Sequence, residues 1–427
     1  MSATTLTSAR WQQLDEPRDA LAYVTNGMDL IAASANGEPV ELLDAIVAGA
    51  AAEERRGLTV HQMHPTGPRP SMTGELKGLI DHTSYFLAGA DRALVGQGVE
   101  YVPANFSEVP AIIAGRVKDP LVLATVAEHD GQLYWGTNGE YTAALIRDGF
   151  PAVLEANAQM PYLPSCPIMD GNVLAVVSTD RPLHTANAKP ASAEDERIAE
   201  YVAERIPDGS TLQIGIGAGP ALVCRALAGR RSNLRVYTEL LADGLADLIE
   251  SGSTAVSELD PAVATFALGT ERLYDFMDGN PAVQILPVDD VNAPRHIAAQ
   301  PLMVSICATT EVDLYGQCAS ATVAGRWYSG SGGQLDFMRG VHLAPDGQGF
   351  MVLRSKLKDG SSRIKPTLAP FSAVTTGVHF VDKVVTEYGV AEMHGRSLSE
   401  RARNLIGVAA PEHREQLRFE ARQTNLL

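Results

Sequence analysis

Cysteine is scarce in this chain, positive charge is in deficit and no long apolar run occurs; each shortage excludes a class of protein. Four cysteines in 427 residues, Cys166, Cys224, Cys307 and Cys318, are too few and too irregularly spaced for a disulfide framework, and no C-x-x-C motif is present. A reducing compartment, the cytoplasm, is the expectation. Lys and Arg total 34 against 51 Asp and Glu, a formal net charge of −17. Nucleic acids and anionic membranes are bound by clustered cations, so neither partner is expected. No stretch of about 18 apolar residues appears and the opening segment has no signal-peptide core, so no membrane anchor is expected. His61 and His64 lie three apart, but spacing supplies no third ligand, and a loop or core role is expected rather than a metal site.

What is present is the composition of a globular protein, with 45% hydrophobic and 20% charged residues. At 427 residues the chain exceeds the size at which one core usually keeps growing, so two domains are expected. The polar stretch 189–196 makes a natural linker and divides residues 1–188 from 189–427. Short apolar runs at 121–126, 152–156, 263–268, 283–288, 303–308 and 384–386 alternate with helical patterns. That alternation predicts two open α/β domains with largely parallel sheets.

The stretch 211–252 carries the sharpest local pattern. Leu212, Gln213, Ile214 and Ile216 suit a buried strand, Gly215, Gly217 and Gly219 a turn, and Pro220 the first residue of a helix, where its missing N–H costs nothing. A second strand, 234–238, ends at Glu239, where a second helix is predicted from the spacing of Leu240, Leu241, Leu245, Leu248 and Ile249. If the strands are parallel neighbours joined by a right-handed crossover, Glu239 and the glycine turn share one rim of the sheet. Position alone makes Glu239 an N-cap carboxylate more readily than a nucleophile beside an oxyanion site. A second glycine-rich segment, 329–340, places Gly330, Gly332 and Gly333 in close order, as in loops that approach phosphates, thioesters or another backbone. Neither loop is the dinucleotide fingerprint, so no nicotinamide or flavin is expected.

Four motifs then stand in order: Thr238-Glu239 with Asp243-Gly244, Glu311-Val312-Asp313-Leu314-Tyr315-Gly316-Gln317, the loop 330–340, and Val385-Thr386-Glu387-Tyr388-Gly389-Val390-Ala391. With weaker agreement at Phe86, Gly89, Arg92 and 101–110, the chain resembles the acetyl-CoA hydrolase/transferase family, and within it the 4-hydroxybutyrate, butyryl and acetate CoA-transferases. The resemblance implies that Glu239 attacks an acyl-CoA thioester to give a mixed anhydride, that CoA thiolate returns to form a glutamyl-CoA thioester, and that an incoming carboxylate takes the CoA. A carboxylate suits such covalent exchange because acyl groups must pass between carboxylates.

Asn292, in Val291-Asn292-Ala293-Pro294, matches a family asparagine at the oxyanion, although by itself it reads as a turn residue. Gly333 matches the glycine whose N–H joins it. By the same resemblance Gly215, Gly217, Ala218 and Gly219 form the other wall, and Gly330 and Gly332 accompany Gly333 in the loop facing CoA. Lys356 and Lys358, with Ser355, Arg363 and Lys365, either meet CoA phosphates or form an exposed basic hairpin. Acyl-CoA and a small carboxylic acid are the implied substrates, a homo-oligomer the implied assembly and the domain interface the implied site. The chain departs from the family at Ala127-Glu128-His129-Asp130, where Ser-Pro-Pro-Asp is common, at Ala321, often a glutamate, and at the bulky Trp327-Tyr328. These departures bear on which acid is used; Arg92, His82 and Arg69 are candidates to meet a second carboxylate. An acyl-CoA hydrolase using the same glutamate, and a CoA-binding protein without activity, are the alternatives.

Overall fold

In the first half of the chain, a computed structural model that describes residues 11–168, 171–186, 190–215 and 218–427, strands assemble into a nine-stranded sheet. Its spatial order is Gln12–Leu14, Asn172–Thr179, Pro151–Asn157, Pro120–His129, Asp29–Ala32, Leu58–Gln62, Ile80–Ser84 and Val99–Tyr101. All of these pair in parallel, and Gln132–Tyr134 adds an antiparallel hairpin to Pro120–His129. The unbroken buried run from Leu121 to Ala127 explains the parallel arrangement, since a sheet covered on both faces needs apolar side chains on both. Helix Val40–Ala51 covers one face with Leu42, Leu43, Ile46 and Val47, which pack with Leu30 and Leu58.

A second, six-stranded sheet runs Arg235–Val236, Thr211–Ile214, Met303–Ala308, Gln348–Val352, Lys383–Thr386 and Gly389–Glu392, parallel except for the final hairpin. The strands of the first sheet lie within residues 12–179 and those of the second within 211–392; the boundary expected between 188 and 189 falls outside the described residues. One cluster of buried apolar side chains runs through both halves, from Ile31, Val122 and Tyr141 to Leu212, Leu245 and Phe350. All four cysteines are buried and unpaired.

Two predicted strands are interrupted. The run 263–268 breaks into Ala262–Ala264 and Phe266–Ala267, because Thr265 turns to give its hydroxyl to the Leu286 carbonyl and its N–H to that of Glu239. The run 283–288 stops at Ile285, after which Pro287 caps the single helical turn Val288–Val291. Both interruptions deliver residues to the site.

Candidate active site

Thr211–Ile214 and Arg235–Val236 are parallel neighbours, Thr211 opposite Arg235 and Leu212 opposite Val236, so the chain regains the same rim after helix Ala218–Leu227. Glu239, however, does not open the next helix. Leu240–Leu241 is a short strand paired with Phe266–Ala267, and helix Asp243–Glu250 starts four residues on, with Ala242 as its N-cap. The helix is delayed because the Glu239 carbonyl accepts the N–H groups of Thr265 and Phe266, at 3.0 and 3.2 Å. Those bonds bind the backbone to its neighbouring segment and leave the side chain to point into a cavity.

The carboxylate is met there by two donors. Asn292 Nδ2 donates to Glu239 Oε2 at 2.6 Å from the C-terminal end of Val288–Val291. The Gly333 amide also stabilises the charged form, and Gly333 is the N-cap of helix Gln334–Leu343, whose dipole presents its positive end. A Cβ on Gly333 would overlap both Glu239 Oε2 and Asn292 Nδ2, so a side chain has no room there. Asn292 Oδ1 is buried without a partner among the described residues. Burial pushes the Glu239 carboxyl up to about 7, against the Asn292 bond and the Gly333 amide and assisted by the charge of Asp336.

The loop carrying Gly333 is held from the other half of the molecule. Phe106 donates its N–H to the Gly332 carbonyl at 3.1 Å, and Ser331 its hydroxyl to the Ala104 carbonyl at 2.7 Å. Ser107 donates its N–H and its hydroxyl to the two oxygens of Asp336, at 3.0 and 2.7 Å. Burial pushes the Asp336 carboxyl up to about 7 as well, against both Ser107 bonds.

Glu239 faces a cavity of about 1320 Å³ whose walls come from both halves. His64, Pro65, Phe86, Phe266 and Leu268 are among its linings, as are Cys307, Thr310, Leu357, Arg363 and Lys365. Gly330, Gly332 and Gly333 line it. Gly215 lines it too, but its N–H is spent on the Ile306 carbonyl at 3.2 Å, so it offers no oxyanion donor. Gly219 is not among the lining residues, Gly217 lies outside the described residues, and Ala218 is the first residue of its helix.

Lys356 is paired with Glu412 at 2.5 Å, and neither it nor the exposed Lys358 lines the cavity; their hairpin neighbours Arg363 and Lys365 do. The three candidates for a second carboxylate are engaged or enclosed. Arg69 is bonded to Glu38 and Asp44, Arg92 reaches the Tyr328 carbonyl and lies over its ring, and His82 is buried with neither ring nitrogen partnered among the described residues. None of the three lines the cavity. His61 bonds to Tyr85 and Asp29, whereas His64 turns to the cavity and packs on Phe86 with ring centroids 4.1 Å apart. Phe266 carries no local signal of a site and reads as an ordinary core residue until the fold brings it beside Glu239; Ser107 and Asp336 lie within segments that carry the resemblance, but their pairing is visible only in the fold.

Comparison with known proteins identifies the class to which this fold and site belong. Residues 269–421 match the family model of the acetyl-CoA hydrolase/transferase C-terminal domain. The chain is 38% identical to the succinyl-CoA:cyclohexane-1-carboxylate CoA transferase of Geobacter metallireducens, over 97% of this chain and 96% of that protein. It is 34% identical to the 4-hydroxybutyrate coenzyme A transferase of Clostridium kluyveri, over 95% and 96%. The crystal structure of RipA from Yersinia pestis matches with a TM-score of 0.91 and 31% identity, over 97% of this chain and 98% of that one. The chain belongs to the acetyl-CoA hydrolase/transferase family. Within it the protein is an enzyme, a CoA-transferase acting between an acyl-CoA and a carboxylate.

Proposed function

We propose that this CoA-transferase works by double displacement through Glu239. The observation that carries the reading is the Glu239 carboxylate held by Asn292 Nδ2 at 2.6 Å, beside the Gly333 amide, in a cavity large enough for an acyl-CoA. An oxygen of Glu239 attacks the thioester carbonyl carbon, the C–S bond breaks, and CoA leaves as a thiolate from an acyl-glutamyl anhydride. The thiolate attacks the glutamyl carbonyl carbon, the anhydride C–O bond breaks, and the donor acid departs as a carboxylate while CoA stays on Glu239 as a thioester. An acceptor carboxylate retraces these steps and leaves with the CoA.

Nucleophile and leaving group are anions throughout, so no step demands a proton and no general acid or base is required. Each tetrahedral adduct instead carries negative charge on oxygen, which suits the Asn292 amide and the Gly333 N–H; one such donor is typically worth ~100-fold or more. A carboxyl poised near 7 is a better nucleophile than an ordinary carboxylate while remaining substantially ionised at neutral pH. The CoA phosphates are assigned to Arg363 and Lys365, which line the cavity, in preference to Lys356 and Lys358. Acyl-CoA and a carboxylic acid enter as substrates, and relatives bear the names of a cyclic and a hydroxylated acid. Residues 1–188 and 189–427 are taken as two domains, and a homodimer in the cytoplasm as the working form.

The test is direct. Mass spectrometry after incubation with acyl-CoA alone is expected to find CoA on Glu239, and Glu239→Ala to abolish exchange. An unlabelled wild type together with an undiminished Glu239→Ala variant would overturn the mechanism. Free thiol release that does not depend on an added carboxylate would make the activity hydrolysis.

A further inference from the structure

The identity of the acid can be read from the wall next to the nucleophile, given the glutamyl mechanism above. Phe86 and Glu239 converge on one point, since a Cβ on Gly332 would lie 3.4 Å from both Phe86 Cε2 and Glu239 Oε1. The Phe86 ring packs on His64 at 4.1 Å and 31°, and His64 lies 6.3 Å from the Phe266 ring. Phe266 in turn gives its N–H to the Glu239 carbonyl. Three rings therefore make a continuous surface that begins at the reacting carboxylate, and Pro65, Pro68 and Leu268 also line the cavity. The His64 imidazole has no hydrogen-bond partner among the described residues, and burial pushes its pKa down to about 4, so it meets a ligand as a neutral ring.

Cationic side chains are few in this cavity. Among the described residues lining the cavity, the Lys and Arg side chains are those of Arg363 and Lys365, and strand Ile364–Lys365 pairs with Glu311–Asp313 in a small separate sheet. The arginines of the first half nearest in sequence to the rings, Arg69 and Arg92, are held by Glu38 and Asp44 and by Tyr328. A second carboxylate laid against the rings would exchange its water for apolar and neutral aromatic surface, whereas a ring or a branched chain would bury apolar surface there.

We propose that the Phe86–His64–Phe266 wall is the acyl subsite, and that the acid exchanged is an apolar monocarboxylic acid bearing a ring or a branch. The experiment supplies acetyl-CoA as donor to the full-length enzyme and measures kcat/KM for cyclohexanecarboxylate, 2-methylpropanoate, butyrate and glutarate by the acyl-CoA each forms. Cyclohexanecarboxylate is expected to exceed butyrate, and glutarate by about tenfold or more. In Phe86→Ala the cyclic acid is expected to lose about tenfold while butyrate changes much less. Phe86→Leu, which keeps an apolar side chain, serves if the alanine variant does not fold. Glutarate or butyrate equalling the cyclic acid, or an equal loss for every acid in the Phe86 variants, overturns the subsite. CoA labelling of Glu239 with the wrong acid preference would sink this proposal alone; no transfer to any acid and no labelling would sink the glutamyl mechanism with it.

Discussion

At Gly333 the missing Cβ is what lets a backbone amide approach the Glu239 carboxylate, because any side chain would occupy the space of Glu239 Oε2 and Asn292 Nδ2. Gly333→Ala is therefore expected to lower kcat ~100-fold or more, with a thermal melt close to wild type, by separating the donors from the carboxylate. In the proposed mechanism Glu239 sets the pH response. With its pKa raised to about 7, the nucleophile is protonated below that value, so kcat/KM is expected to rise with pH and level off above about 7 in a pH–rate profile. The linkage to stability has the opposite sense. The folded state holds this proton more tightly than the unfolded chain, whose glutamates titrate near ~4.3, so stability falls as pH rises between the two values. Glu239→Gln is expected to melt higher than wild type at pH 8, with the difference shrinking towards pH 5. None of this was visible at Glu239 in isolation, where spacing favoured a helix cap. The cap reading failed because Thr265 and Phe266, some 26 residues on, hold the Glu239 carbonyl, and periodicity says nothing about such partners.

Between elements, the loop bearing Gly333 is positioned by the segment around Ser107. Removing the Ser107 hydroxyl leaves one buried oxygen of Asp336 short of a donor, at a typical cost of ~1–3 kcal/mol. Ser107→Ala is expected to show faster amide hydrogen exchange across 329–334 and a lower kcat, with the KM for acyl-CoA changed less. The strands themselves were legible: Met303–Ala308 and Lys383–Thr386 fall where their apolar runs place them. Illegible were the breaks at Thr265 and after Ile285, where tertiary hydrogen bonds override β-propensity. Asn292 and Thr265 reach the site through those breaks. Asn292 and Gly333 were nominated only through motif resemblance, since local pattern cannot tell which loops converge.

For the molecule as a whole, two largely parallel sheets share one apolar cluster and leave the cavity between residues of both halves. A ligand filling that cavity touches the two at once and stabilises the folded state alone. Acyl-CoA at about 100 times its dissociation constant is expected to add ~2.7 kcal/mol, read as a rise in melting temperature that disappears in low-affinity variants of Arg363 and Lys365. The parallel sheets were foreseeable from the alternation of apolar runs and helical patterns; the composition of the cavity was not, because His64, Phe86 and Phe266 come from separate strands and turns. One feature of that cavity reaches beyond CoA exchange. Cys307 stands in the wall of a chamber that must admit a free thiol, an arrangement that invites a mixed disulfide with CoA whenever the surroundings turn oxidising. Burial pushes its pKa up to about 12, against a Ser305 bond and with the Glu239 charge adding to the rise. Only the thiolate exchanges with disulfides, so Cys307 remains an unreactive thiol at neutral pH. With the other three cysteines buried as well, exposure to CoA disulfide is expected to leave Cys307 unmodified, checked by the intact mass of the treated enzyme.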